Sequence, residues 1–584
     1  MSKKLFSTIG ILLFFFAANA QSPSWQWGKR GGSSISDGTG GADEMVADMA
    51  TDSHGNIYVL SSVQTGTGTG VNVDGHAITG WGVQDILLTS FKCDGTYRWS
   101  KDLGGTNQDY PVALKTDTLG GVYVMGELTT YFITVHLDVD SSWNTGTICK
   151  EIFLAKYDSA GNYKWFRMPD PDTMSLAMSS AHCALDMDID GGGNICLMCA
   201  LPPGAYGGGG YVATSTGVHI LKYDRNGNFI GGNPLQITYT STGVGGLSVR
   251  KDYALGKYYV TSGKIGIPTA GAGVPGLTMG STTITRPLYI GAFNNAGTML
   301  WLKQDVNIYS GGTFSRAVID AQHNIYAEGQ ANNNDTFNTY VVVNPLALSG
   351  GDVPIVVKLD TNGNNVWAIS GQSNAAVDAC ANVSLNGNEV VVAGAYSAKL
   401  KWSTDSLLHA GSCDYSPFIT RLNKNTGAVI DIDSIASACG FHTVPTMLSS
   451  DKYGNVYVGG EFPSTITVNG TTITSAGGGS DFFVAKYGTS NCSVPITLET
   501  SPDLSKGEEI LRVYPNPATE ELNITGITQN TTYRLLSITG TTVLQGLLKQ
   551  GENTIQMRNC ASGLYILQMN GEDGQRNMVK VVKQ

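Results

Sequence analysis

Asp186-Met-Asp-Ile-Asp-Gly191 sets three carboxylates at alternate positions before a glycine. That is the first half of a calcium loop, since a hard cation collects oxygen ligands from alternate positions of a tight turn. The twelfth position is Leu197, where a bidentate glutamate is expected. Asp190 also stands where a hairpin begins, so its first reading is structural, with calcium on Asp186, Asp188 and Asp190 as the alternative and no other cofactor suggested. Cys196 and Cys199 have CxxC spacing, but they lie in Asn194-Ile-Cys-Leu-Met-Cys-Ala200, which reads as a strand. Residues three apart on a strand face opposite ways, so buried or separately paired sulfurs are expected there, not a zinc or redox pair. The chain has no HExxH, GxSxG, P-loop or dinucleotide fingerprint, and its eight histidines are scattered, so no catalytic residue is assigned.

The elements around these residues repeat. Asp52-Ser-His-Gly-Asn-Ile-Tyr-Val59 is echoed from Asp117, Asp190, Asp252, Asp320, Asn386 and Asp451, at intervals of about 66 residues. Between these lies a second motif: an apolar strand, a basic residue, Asp or Asn, then Gly and Trp. Phe91-Lys-Cys-Asp-Gly95 with Trp99, Ala155-Lys-Tyr-Asp158 with Gly161 and Trp165, and Val357-Lys-Leu-Asp360 with Gly363 and Trp367 are its clearest copies. In both motifs the aspartate accepts hydrogen bonds from backbone N–H groups just beyond it, and glycine or asparagine takes the positive-φ position of a hairpin. The following strand, such as Ile57-Tyr-Val-Leu60, is apolar throughout and must be buried on both faces.

Counting back from the hairpin aspartate gives the innermost strand of each repeat. Three residues upstream the row is apolar in every copy: Met49, Leu114, Met187, Val249, Ala317, Val383 and Leu448. The rows on either side vary and carry charge, including Asp48, Asp186 and Arg316 on one and Lys115, Asp188 and Arg250 on the other. The constant row is framework. The variable face, with Asp48, Asp186, Arg250 and Arg316, is expected to approach a central channel, either solvated or facing a ligand.

Composition agrees with this architecture. Gly 74 and Pro 19 without a collagen period, against only 14% charged residues, describe many short strands joined by turns and not a disordered chain. A net charge of -11 argues against nucleic acid and anionic membrane surfaces as partners. Trp25-Gln-Trp-Gly-Lys-Arg-Gly-Gly32 matches Trp99-Ser-Lys-Asp-Leu-Gly-Gly105, the strand that ends a repeat, while the seventh repeat stops at Gly488 without one. The expected fold is all-β, a seven-bladed β-propeller over 21–488 whose first strand completes the last blade and removes exposed sheet edges. Over about residues 25–488 the two motifs resemble the bacterial beta-propeller repeat (SBBP-type) proteins, a likeness that implies fold and is silent on activity.

The two ends carry an address. Lys3 and Lys4, the apolar run Leu5 to Phe16, and Ala18-Asn-Ala20 before Gln21 form a secretory signal peptide over 1–20, which implies the Sec translocon and signal peptidase as partners. The run is shorter than a membrane span, and no transmembrane segment is expected in the mature chain. A Ser, Pro, Glu and Lys-rich connector, 489–510, leads to short strands over 511–584 with the spacing of a small immunoglobulin-like β-sandwich. This segment resembles the type A C-terminal sorting domain of type IX secretion substrates of the Bacteroidetes. The matching residues are Tyr514-Pro515-Asn516-Pro517, Ser537 to Gly540, Gly551-Glu-Asn553, Gly563-Leu564-Tyr565 and Lys580 to Lys583. The resemblance implies the type IX secretion machinery as a partner and a secreted or outer-surface protein that passes through the periplasm. The expected role is a binding or scaffold module for an extracellular glycan or protein. The alternative is a polymer-degrading hydrolase or lyase with an acid–base pair on one face.

Overall fold

The computed structural model describes residues 22–35, 44–65, 70–130, 133–137, 140–143, 149–169, 184–239, 246–263, 277–285, 288–305, 312–346, 352–374, 379–409, 415–438, 443–477, 479–489, 492, 512–527, 529–537, 541–571 and 576–584. The signal-cleavage residues Ala18, Ala20 and Gln21, and Gly540 of the sorting motif, lie outside them. The chain divides into two compact units, Met1–Pro495 and Ile496–Gln584.

The hairpin aspartates build the first unit. Asp52 accepts N–H bonds from His54 and Asn56 at 2.8 and 3.0 Å, and the hydroxyl of Tyr58 at 2.8 Å. Tyr123, Tyr326 and Tyr457 donate in the same way to Asp117, Asp320 and Asp451. One carboxylate thus closes the turn and satisfies a tyrosine hydroxyl that the sheets bury, a polar group that would otherwise be costly there. The resulting sheets are antiparallel and four-stranded. The first contains Val46–Thr51, Ile57–Gln64, Gln84–Phe91 and Tyr97–Leu103 in that order, and five more copies follow with innermost strands Tyr110–Thr116, Ala184–Ile189, Ser248–Asp252, Thr313–Ile319 and Ala379–Asn386.

The seventh sheet takes its inner strands from Val444–Ser450, Val456–Phe462 and Asp481–Gly488, and its next strand is Ser24–Ser33. Ser24 pairs with Gly488 and Gly31 with Phe482, while Arg30 donates to Asp481 at 2.6 Å. The far end of the same strand pairs with Val71–Val73, which comes from the first repeat. A disulfide joins Cys93, in a hairpin of the first sheet, to Cys492, across 399 residues.

Neighbouring sheets are stapled by the second motif. The indole N–H groups of Trp27, Trp99, Trp165, Trp301 and Trp367 donate to the carbonyls of Cys93, Ser159, Arg225, Thr361 and Lys424, each in the hairpin of another sheet. Gly161 sits over the Trp99 ring at φ +84, where a Cβ would come within 2.7 Å of it. Both the turn and the stacking therefore demand glycine at that point of the motif.

The second unit has a three-stranded sheet, Arg512–Tyr514, Glu521–Ile527 and Gly551–Gln556, and a four-stranded one containing Thr531–Ser537, Thr542–Leu548, Gly563–Gly571 and Arg576–Lys583. Leu522, Ile524, Leu535, Ile555, Leu567 and Val581 fill a shared core. Among the described residues no helix is long and apolar enough to cross a membrane.

Candidate functional site

The variable rows of the innermost strands meet in a buried ionic network. A β-bulge re-aims six of these strands: Val46 pairs with Ser61 and the next pair is Asp48 with Leu60, and the same slip precedes Ala113, Asp186, Arg316, Asn382 and Met447. The fourth sheet lacks it, with Ser248 paired directly to Thr261. A bulge adds one residue to a strand and turns the next side chain out of the simple alternation, which is how these polar groups leave the pleat.

Asp48 and Asp186 then perform the same task. Asp48 accepts the N–H of Leu114 at 2.8 Å and the ammonium of Lys115 at 2.9 Å, both on the innermost strand of the second sheet. Asp186 accepts the N–H of Val249 at 3.0 Å, the hydroxyl of Ser248 at 2.6 Å and the guanidinium of Arg250 at 3.3 Å, all on the fourth. Each carboxylate therefore bonds one sheet to the following one through both backbone and cation. Arg316, from the fifth sheet, donates to Asp48 at 2.8 Å across 268 residues of sequence. Its Nε and Nη2 have no protein acceptor among the described residues.

Burial decides the electrostatics. Asp48, Asp186 and Arg316 are 1%, 0% and 3% exposed, so these side chains are desolvated. Burial works against the Arg316 charge, and Asp48, Asp186 and Glu328 more than offset it, leaving the guanidinium pKa raised. Glu328, opposite Arg316 in its sheet, is pushed by burial up to about 8. Such a network is a strong structural connection and a poor acid–base catalyst, because its carboxylates are already committed and shielded.

The half calcium loop does not converge. Asp186 is spent as described, Asp188 accepts the Lys251 N–H at 2.6 Å, and Asp190 closes its hairpin on the Gly192 and Asn194 N–H groups. Among the described residues no three His, Cys, Asp or Glu side chains group to hold a metal ion. Cys196 and Cys199 are both buried, and they pack in different apolar clusters on opposite faces of their strand.

In the second unit the motif residues join the two chain segments that flank it. Asn516 acts as a side-chain ladder rung, its amide donating to the Lys580 carbonyl at 2.6 Å and its oxygen accepting the Val582 N–H at 2.9 Å. It lies between Pro515 and Pro517, which follow cis peptide bonds and have no N–H of their own to offer. The Ala518 N–H continues the pairing to the Val582 carbonyl at 2.7 Å. Tyr565 is largely buried and donates to the Ala561 carbonyl at 2.7 Å, whereas Tyr514, Leu564 and Lys580 are exposed.

Residues 512–584 match the family described as the secretion system C-terminal sorting domain. The C-terminal unit is a secretion sorting domain. The protein is thereby a substrate of the type IX secretion machinery, exported to the cell surface or the extracellular space. No curated protein matches the chain. Among solved structures, the quinohemoprotein alcohol dehydrogenase from Comamonas testosteroni is 11% identical over 85% of this chain and 80% of its own, with a TM-score of 0.34. PorZ, a surface component of the type-IX secretion system of Porphyromonas gingivalis, is 10% identical over 95% of this chain and 100% of its own, at 0.18. The extracellular domain of BT4673 from B. thetaiotaomicron is 10% identical over 95% of this chain and 98% of its own, at 0.22.

Proposed function

We propose that residues 21–488 are a seven-bladed β-propeller of SBBP-type repeats, closed by its N-terminal strand and carried to the cell surface as a binding or scaffold module for an extracellular glycan or protein. The pairing of Ser24–Ser33 with Asp481–Gly488 supports the closure, as does Trp27, which donates to the Cys93 carbonyl as the other motif tryptophans do to theirs. Residues 1–20 serve as the signal peptide, cut between Ala20 and Gln21. In this reading Asp48, Asp186, Arg250 and Arg316 surround the central channel.

The observation that carries the reading is the use made of those inner polar groups. Asp48 and Asp186 are buried in bonds to neighbouring sheets, so they stiffen the ring instead of facing a substrate. A rigid ring leaves recognition to the loops and outer rim, where broad surfaces are held in place by the sheets. A hydrolase or lyase would need an accessible acid–base pair, and the inner carboxylates do not supply one.

Binding of the mature chain to glycans and to proteins of the extracellular medium, measured beside turnover of soluble polysaccharides, tests the reading. Saturable binding without turnover is the expected result. Turnover that disappears on replacing one pair of surface carboxylates would establish the hydrolytic alternative.

A further inference from the structure

Trp81 is exposed, at 40%, in the connection that precedes the strand Gln84–Phe91 of the first sheet. It is held rigidly. Its backbone N–H donates to the buried carboxylate of Asp85 at 2.7 Å, which also accepts Gly82 N–H at 3.1 Å and Thr65 hydroxyl at 2.7 Å. Gly82 is packed so closely that a Cβ would come within 2.0 Å of the Gly105 carbonyl oxygen. One face of the Trp81 ring stacks on His136 with centroids 3.6 Å apart and an interplanar angle of 17°. His136 is fixed in turn by two backbone bonds with Gly104, of 2.8 and 3.2 Å.

These groups border an open pocket of about 440 Å³, lined also by Thr79, Ser100, Lys101 and Asp102. Its floor is part of the outer strand Tyr97–Leu103. At the other end of that strand Tyr97 stacks on His76 at 3.9 Å, so two aromatic stacks flank one strand. The carboxyl of Asp102 is turned inward and shielded; burial, with Asp85 next in weight, pushes it up to about 10, so it adds no negative charge to the floor at neutral pH.

We propose that this pocket binds a pyranose ring of an extracellular polysaccharide, its C–H face stacked on Trp81 and its hydroxyls turned to the polar groups of Thr79, Ser100 and Lys101. A rigid aromatic plate beside hydroxyl and ammonium groups suits a ring with one apolar face and polar edges. An extended peptide fits less well, because adding a strand along Tyr97–Leu103 would require displacing the His136–Gly104 pairing. The inference rests on the glycan reading given above and assigns it a place.

The test uses the full mature chain and four probes: cellohexaose, chitohexaose, mannohexaose and hexagalacturonate, titrated by calorimetry. At least one binds, and Trp81→Ala weakens it about tenfold or more with an unchanged melting temperature, while Trp81→Phe retains most of the affinity. His136→Ala, which removes only the support behind the plate, gives a smaller loss and serves if Trp81→Ala misfolds. Unchanged affinity in Trp81→Ala overturns this site and leaves glycan binding standing. Failure of all four probes overturns the pocket as a glycan site, and failure to bind any glycan or protein removes the broader reading as well. Loss of a bound extended peptide in Trp81→Ala, with no sugar bound, overturns it in favour of a peptide groove.

Discussion

The guanidinium of Arg316 and the carboxylate of Asp48 meet at 2.8 Å although their strands belong to the fifth and first sheets. Both groups are almost wholly buried, so removal of Arg316 leaves Asp48 with Lys115 as its one remaining cation, and removal of Asp48 strips the guanidinium of its hydrogen-bonded carboxylate. Arg316→Ala should lower the unfolding free energy by about 3–5 kcal/mol, the cost usual for breaking a buried pair. Asp48→Asn, which keeps two acceptor lone pairs for the Leu114 N–H and has no charge, should cost less than Asp48→Ala. Urea titration of the three variants, followed by tryptophan fluorescence, checks the order.

Stability should fall as pH rises from mild acid to mild base. Glu328, Glu44 and Asp109 are all pushed by burial up to about 8, whereas unfolded carboxyls titrate near ~4. Below the unfolded value both states hold the proton and nothing is lost. Between the two values the unfolded chain releases a proton that the folded chain keeps, so each pH step favours unfolding until the folded groups ionise as well. Melting temperatures recorded from pH 5 to pH 9 should decline, and Glu328→Gln should flatten the curve, equal to the parent in acid and above it in base.

The Cys93–Cys492 disulfide ties the first sheet to the segment just past the seventh. A crosslink over so long a loop restrains the unfolded chain strongly, with ~5 kcal/mol as the upper end of what such bonds contribute. Cys492→Ser should lower the melting temperature of the first unit and leave that of the sorting domain unchanged, which differential scanning calorimetry can separate.

Asn516 closes the sorting domain by holding the last strand at Lys580 and Val582. Asn516→Ala removes both bonds and should cost that domain about 1–2 kcal/mol. Deleting 512–584 should retain the protein in the periplasm, and Asn516→Ala should shift part of it there. Cell fractionation with immunoblotting gives both answers.

How far these features could be read in advance depends on how local they are. The hairpin aspartates and glycines were legible because a turn is specified within five residues, and its repetition announced the sheets. Tyr514 to Pro517 and Gly563 to Tyr565 were legible as an ordered motif at one end of the chain. The bulge before Asp48 was not, because an extra residue in a strand changes register without changing composition. Nor was the bond from Arg316 to Asp48, which depends on how several sheets are placed around one another. Trp81 is illegible in the sequence for the opposite reason: it belongs to no repeat, and only its exposure and its stack on His136 mark it.

The strand Ser24–Ser33 has a temporal consequence. Its partner Asp481–Gly488 is synthesised more than four hundred residues after it. Six sheets can assemble in order as the chain emerges from the translocon, while this strand must wait, and contacts so distant in sequence form slowly. A strand made long before its partner is the last to find its place, and until it does the seventh sheet offers an open edge to any passing strand.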